Sequence, residues 1–100
     1  MQSISVHDLN NMLNAKDEIQ LIDVREEDEH LVFNIGGLLL PLGIIQNHLD
    51  KIRTDIPVVF YCRKGVRSMI AIQKLEQKYP FGNLLNLSGG MDEWIDVFGK

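Results

Sequence analysis

The feature that most constrains this chain is a junction in its middle. Ile56-Pro57-Val58-Val59-Phe60-Tyr61 is a continuous apolar run, rich in β-branched and aromatic residues. The polar loop Cys62-Arg63-Lys64-Gly65-Val66-Arg67-Ser68 follows at once, and a helical pattern runs from Met69 to Lys78. An apolar run of this kind, without polar alternation, reads as a strand covered on both faces. The chain must then turn within a few residues and start a helix that packs back on that strand. Such strand–loop–helix units belong to parallel sheets with right-handed crossovers.

The rest of the chain repeats the pattern. Ser3-Ile4-Ser5 reads as a first strand, and Ser5 or His7 opens a helix whose Leu9, Met12 and Leu13 share a face. Gln20–Val24 is a second strand, and Arg25–His30 opens a helix with acids in its first turn, the end that favours negative charge. Gly36-Gly37 makes a turn into a short third strand, Leu38-Leu39-Leu40. Ile44–Ile52 has the spacing of an amphipathic helix with Ile45, Leu49 and Ile52 inward and His48 exposed. After the central junction, Met69, Ile72, Leu75 and Tyr79 form a buried helical stripe, which Pro80 and Gly82 end. Asn83–Leu87 is a fifth strand, and Gly89-Gly90 leads into a last helix carrying Trp94 as a core residue. The expected fold class is α/β, and the expected organisation is a single domain over residues 1–100.

The central loop concentrates chemistry. It holds the only cysteine of the chain, at the end of a strand and before a helix start. Backbone N–H groups at a helix start lack intrahelical partners and make an anion cradle, helped by the positive end of the helix dipole. The chain has 10 basic and 14 acidic residues, a net charge of −4; without Arg63, Lys64 and Arg67 it would have 7 against 14. A cationic loop in an acidic protein, with a thiol in its mouth, favours thiolate over thiol. Ser68 is placed to hydrogen-bond the sulfur or to cap the helix, while Tyr61 and Val66 oppose ionisation by partial desolvation. Gly89-Gly90 allows backbone to pass close to the Cys62 loop, or simply a tight turn. Asp23 ends its strand on the rim where parallel sheets bind ligands. It is read there as a cap for the following turn or as a direct participant, with Arg25 paired to Glu29 or another acid.

Composition narrows the remaining classes. A 45% hydrophobic content supports a core without disulfide or metal. One cysteine cannot form an intramolecular disulfide, which suits a reducing cytoplasm. The N-terminus shows no signal peptide and no apolar stretch reaches membrane-spanning length. The acidic balance argues against nucleic acid as partner, and the three histidines and one cysteine are too scattered for a zinc site.

Cys62-Arg63-Lys64-Gly65-Val66-Arg67-Ser68 resembles the active-site loop of rhodanese-like sulfurtransferase domains, Cys-x-x-Gly-x-Arg-Ser. Asp23-Val24-Arg25-Glu26 is similar to that family's Asp-Val-Arg-Glu segment, and Gly89-Gly90-Met91-Asp92-Glu93-Trp94 to its Gly-Gly-x-x-x-Trp segment. The resemblance implies a three-layer α/β/α fold, with a five-stranded parallel sheet in the order 1-5-4-2-3. It also implies a cysteine that carries a persulfide sulfur from a donor to an acceptor, with no cofactor. The implied partners are a small anionic sulfur donor such as thiosulfate, a persulfide donor protein or a sulfur-carrier protein. Phe33-Asn34-Ile35-Gly36-Gly37-Leu38 departs from the common Gly-His-Ile-Pro-Gly-Ala segment. Asn34 to Leu42 looks instead like the variant appended to adenylyltransferases of molybdopterin and thiamine biosynthesis. Phosphatases of the same fold have Cys-x5-Arg. Here Arg67 gives Cys-x4-Arg, and Ser68 stands where a phosphatase needs arginine, so the shorter loop argues for sulfur over phosphate. A non-catalytic interaction or sensor module is the third reading, disfavoured by the intact cysteine and the loop cations.

Overall fold

Every apolar run read from the sequence forms a strand in the computed structural model, which describes all 100 residues. The elements run β1 (Gln2–Ile4), α1 (Val6–Asn14), β2 (Gln20–Asp23), α2 (Glu27–Val32), β3 (Leu38–Leu39), a 3₁₀ segment (Ile45–Lys51), β4 (Val58–Tyr61), α3 (Val66–Lys78), β5 (Leu84–Leu87) and α4 (Gly90–Phe98). The five strands form one sheet in the order β1-β5-β4-β2-β3, and every pairing is parallel.

Strand β4 shows why the central run has to be apolar throughout. All four of its residues are buried. Val58 and Phe60, with Cys62 beyond them, face a core built with Ile45, Ile52, Ala71, Ile72 and Leu75, from the 3₁₀ segment and α3. Val59 and Tyr61 face the opposite core, built with Leu9, Met91 and Trp94 from α1 and α4. The period of two sends alternate side chains into different layers, and each layer needs its own apolar supply. Trp94 is buried, as its core reading required.

Local signals set the element boundaries. Ser5 caps α1, its hydroxyl accepting the Asp8 N–H at 3.0 Å. Lys78 is the last residue of α3, two residues before Pro80. Two expectations need correction. The Ile44–Ile52 stretch is 3₁₀ over Ile45–Lys51, not an α-helix, and His48 breaks it with φ −129° and ψ 35°. Its inward residues are nonetheless those expected, because Ile45 and Ile52 are buried and Leu49 packs against them. His48 divides the stretch into two short pieces, each of the length that 3₁₀ geometry serves, and a few buried apolar contacts fix them. His48 is half-buried, where exposure was expected.

Leu75 is fully buried between α3 and the sheet. Leu75→Ala should therefore lower unfolding free energy by about 2–5 kcal/mol. Urea denaturation checks this, with the midpoint falling and the slope unchanged; a loss below about 0.5 kcal/mol would mean that this layer is not the tightly packed one described.

Candidate active site

Cys62 is the first residue past β4, on the carboxyl edge of the sheet, the edge at which open parallel sheets bind ligands. Its thiol is buried. The next three residues turn the chain, and Gly65 ends the turn with φ +91°, in the left-handed region. A Cβ there would sit 2.5 Å from the Ser88 carbonyl oxygen, so backbone conformation and space both demand glycine. The reversal brings two N–H groups onto the sulfur: Gly65 N–H donates to Sγ at 3.1 Å and Ser68 N–H at 3.4 Å.

Helix α3 begins at Val66, three residues before the Met69 start of the sequence pattern. Arg67 and Ser68 are thus inside the helix, and Ser68 is not its cap. That position falls to Gly65, which has no side chain to cap with. The Ser68 hydroxyl lies 3.4 Å from Sγ and donates to Asn86 Oδ1 at 2.5 Å; the Asn86 side-chain amide donates to the Gly65 carbonyl at 3.2 Å. Burial works against ionisation of the Cys62 thiol. The Ser68 hydroxyl and the N–H groups of Ser68, Gly65 and Lys64 outweigh it, and hold the thiol below its ordinary range.

The other side of the loop rests on α4. Met91 N–H donates to the Cys62 carbonyl and Asp92 N–H to the Arg63 carbonyl, both at 2.9 Å. Gly90, with φ +61°, lies so close that a Cβ would come 2.5 Å from the Arg63 carbonyl oxygen. The Gly89-Gly90 pair thus does bring backbone against the Cys62 loop.

The cations divide their work. Arg67 is held in a two-pronged ion pair, Nη1 to Glu29 Oε1 at 2.7 Å and Nη2 to Oε2 at 2.9 Å. Glu29 also accepts the Glu26 N–H at 3.1 Å, at the start of α2. Arg63 is exposed and reaches Asp92 at 3.3 Å, and Lys64 is exposed. Arg67 faces both the Glu29 carboxylate and the Cys62 sulfur, and among the groups that favour the thiolate the hydrogen-bond donors do most. Tyr61 also departs from expectation. It points to the opposite face of the sheet, where its hydroxyl accepts the Gly37 N–H at 3.2 Å and burial pushes it up to about 12. Val66 is 55% exposed, yet it stands beside Cys62 in the wall of the cavity at the loop, so only Tyr61 is removed from the sulfur's surroundings.

Asp23 and Arg25 form a neighbouring brace. Asp23 accepts the Arg25 N–H at 3.0 Å, and Arg25 Nε and Nη2 at 2.9 Å each; His30 Nδ1 approaches it at 2.9 Å. Arg25 Nη2 also donates to the Phe33 carbonyl at 2.7 Å. Of the two readings of Asp23, turn capping is realised, and the acid paired with Arg25 is Asp23, not Glu29.

Cys62, Arg63, Lys64, Val66 and Arg67 line a cavity of about 240 Å³. That is below the range of drug-sized ligand sites, and it suits a small anion. A groove of about 400 Å³ shares Arg63 with it and is lined by Val32, Phe33, Met91 and Ile95 among others. Asn86 is a site residue that the motifs of the sequence do not single out. The signal was present: one polar residue inside the apolar strand Leu84-Leu85-Asn86-Leu87, on the face that β4 uses for Cys62.

The chain belongs to the rhodanese-like domain family, which it matches over residues 5–96. Over 76 residues it is 42% identical to the uncharacterized protein YqhL of Bacillus subtilis, covering 75% of this chain and 60% of that one. It is 33% identical to the "Probable adenylyltransferase/sulfurtransferase MoeZ" of Mycobacterium tuberculosis, covering 92% of this chain but only 24% of MoeZ. With the thiosulfate sulfurtransferase GlpE of Coxiella burnetii it shares 30% identity, covering 79% of this chain and 74% of GlpE. Among solved structures, a rhodanese-related protein from Thermoplasma volcanium superposes with a TM-score of 0.86 at 25% identity, covering 100% of this chain and 96% of that one. The fold class and strand order implied by the sequence resemblance are those observed. No helix is long and apolar enough to cross a membrane.

The ion pair with Arg67 holds Glu29 down to about 2 from 4.5. A carboxyl depressed in the folded state adds stability above its unfolded value and loses it on acidification. Between pH 4.5 and about 2 the wild type should lose the contribution of this pair. Glu29→Gln lacks that contribution at every pH, so the difference in melting temperature between the two proteins should shrink across this window. A constant difference down to pH 2 would remove the ion pair from the account.

Proposed function

We propose that this domain is a sulfurtransferase in which Cys62 carries sulfur as a persulfide. The observation that supports this best is the convergence of the Gly65 and Ser68 N–H groups on the sulfur of the only cysteine, at 3.1 and 3.4 Å, beside a small cavity rimmed by basic side chains. The Cys62 thiolate attacks the outer sulfur of a small anionic donor such as thiosulfate. A new S–S bond forms, the donor's S–S bond breaks, and sulfite leaves with the electron pair. A protein persulfide is the alternative donor. A thiophilic acceptor then attacks the outer sulfur of the persulfide and the Cys62 thiolate is released. In this reading the N–H donors stabilise negative charge on either sulfur species, and Arg63 and Lys64 draw the anion in. Arg67, locked by Glu29, sets the wall of the cavity. Covalent catalysis of this kind needs an activated thiol and no metal.

The sulfurtransferase names carried by GlpE and by MoeZ, of which this chain spans only 24%, favour the sulfur-transfer reading, and the Asn34–Leu42 segment favours a sulfur-carrier protein as acceptor, in a relay serving molybdopterin or thiamine biosynthesis. A reducing cytoplasm is the compartment in which such a thiol persists. Asp23 and Arg25 support the site by fixing the corner between β2 and α2.

Cys62→Ser should retain the fold, with stability within about 1 kcal/mol of wild type. It should reduce turnover with thiosulfate and cyanide by at least about a thousandfold, as expected on removal of a nucleophile. Wild-type turnover in this variant would overturn the proposal. So would a wild-type enzyme that hydrolysed an aryl phosphate in preference to using thiosulfate.

A further inference from the structure

Asn86 lies in the middle of the sheet, in a strand flanked by β1 and β4, and it is 5% exposed. Asparagine is a poor strand former, and a buried amide must find partners or cost stability. Both of its ends are occupied. Nδ2 donates to the Gly65 carbonyl and Oδ1 accepts from the Ser68 hydroxyl. The first bond fixes the orientation of the amide, because a flipped side chain would set two carbonyl oxygens against each other. The strand register places Asn86 opposite Phe60, one pleat below Cys62 and on the same face.

The Ser68 hydroxyl has one proton and two neighbours that can accept it, Asn86 Oδ1 and Cys62 Sγ. We propose that Asn86 is a positioning residue that holds the Ser68 proton away from the sulfur. In the resting thiol, Cys62 S–H then donates to Ser68 Oγ and Ser68 O–H donates to Asn86. When the thiol proton leaves to solvent, the Ser68 hydroxyl must break its bond to Asn86 before it can serve the thiolate. Asn86 thus limits the Ser68 hydroxyl's share of the ionisation that this hydroxyl and the backbone N–H groups together promote, because it competes for the hydroxyl's one proton. A less stabilised thiolate is a stronger nucleophile at equal ionised fraction, since intrinsic nucleophilicity falls as thiol acidity rises. Only this consequence for turnover rests on Cys62 being the sulfur carrier.

The test is the pH dependence of iodoacetamide alkylation at Cys62 in wild type, Asn86→Val, Ser68→Ala and the double variant. It needs no sulfur donor, so its failure and a failure of sulfur transfer are separately visible. The charged groups around the loop are Arg63, Lys64, Arg67, Glu29, Asp92 and the Asp23–Arg25 pair, and they are the same in all four proteins. Asn86→Val should lower the alkylation midpoint by about one pH unit, a tenfold gain in the thiolate-to-thiol ratio from one hydroxyl donor now free to serve the sulfur. In the Ser68→Ala background the same substitution should leave the midpoint where it is. An unchanged or raised midpoint in Asn86→Val, or an equal shift without Ser68, would overturn the proposal and leave Asn86 a packing residue. A second measurement uses the unaltered protein and covers a variant that fails to fold. The Asn86 side-chain carbonyl carbon should change its NMR shift with the same midpoint as Cys62 ionisation; a resonance that stays fixed through that titration would equally overturn the proposal.

Discussion

The site depends on one backbone reversal. Two N–H groups reach the Cys62 sulfur because Gly65 takes a left-handed conformation immediately before α3. With a right-handed residue there, the chain could not turn from β4 into a helix start within so few residues. The space is as restrictive as the dihedral angle, since Ser88, the residue just past β5, lies against Gly65 and the start of α4 passes against Arg63. The loop is clamped from beneath and beside by elements distant in sequence. It is this clamping, more than local charge, that turns a strand end into an anion cradle. Donors fixed in advance cost no reorganisation when negative charge develops on the sulfur.

Around that reversal the polar side chains are paired almost in a chain. Arg67 takes Glu29, Glu29 takes the Glu26 N–H, Arg25 takes Asp23, and Ser68 takes Asn86. No buried side-chain nitrogen or oxygen lacks a hydrogen-bond partner. Satisfied networks rigidify a site, because each group would otherwise bear a desolvation cost. Fixing Arg67 also removes it from the pool of mobile cations, which in the proposed reaction leaves Lys64 and Arg63 to meet an anion from solvent.

Much of the architecture was legible in residue patterns. The unbroken apolar character of Val58 to Tyr61 required two covered faces, and the alternation of runs with helical spacing required parallel strands. The loop was legible because thiol, glycine and cations stand in the order that a strand–turn–helix junction needs. What escaped the sequence depends on three-dimensional pairing. The start of α3 shifted to Val66 because the left-handed Gly65, not side-chain periodicity, sets it. Glu29 and Arg67 are 38 residues apart, and nothing local says that they meet. Asn86 looked like part of an ordinary strand until its neighbours across the layer were known. Tyr61 was read as partly desolvating the sulfur, although the period of two already places adjacent residues on opposite faces.

The central claim is that Cys62 is a sulfur carrier held ready by backbone donors. Intact-protein mass spectrometry after incubation with thiosulfate tests it most directly. The account predicts a species one sulfur atom heavier, localised to the Cys62 peptide, absent from Cys62→Ser and removed by dithiothreitol. A wild-type protein whose mass does not change, or one that gains sulfur equally when Cys62 is replaced, would contradict it.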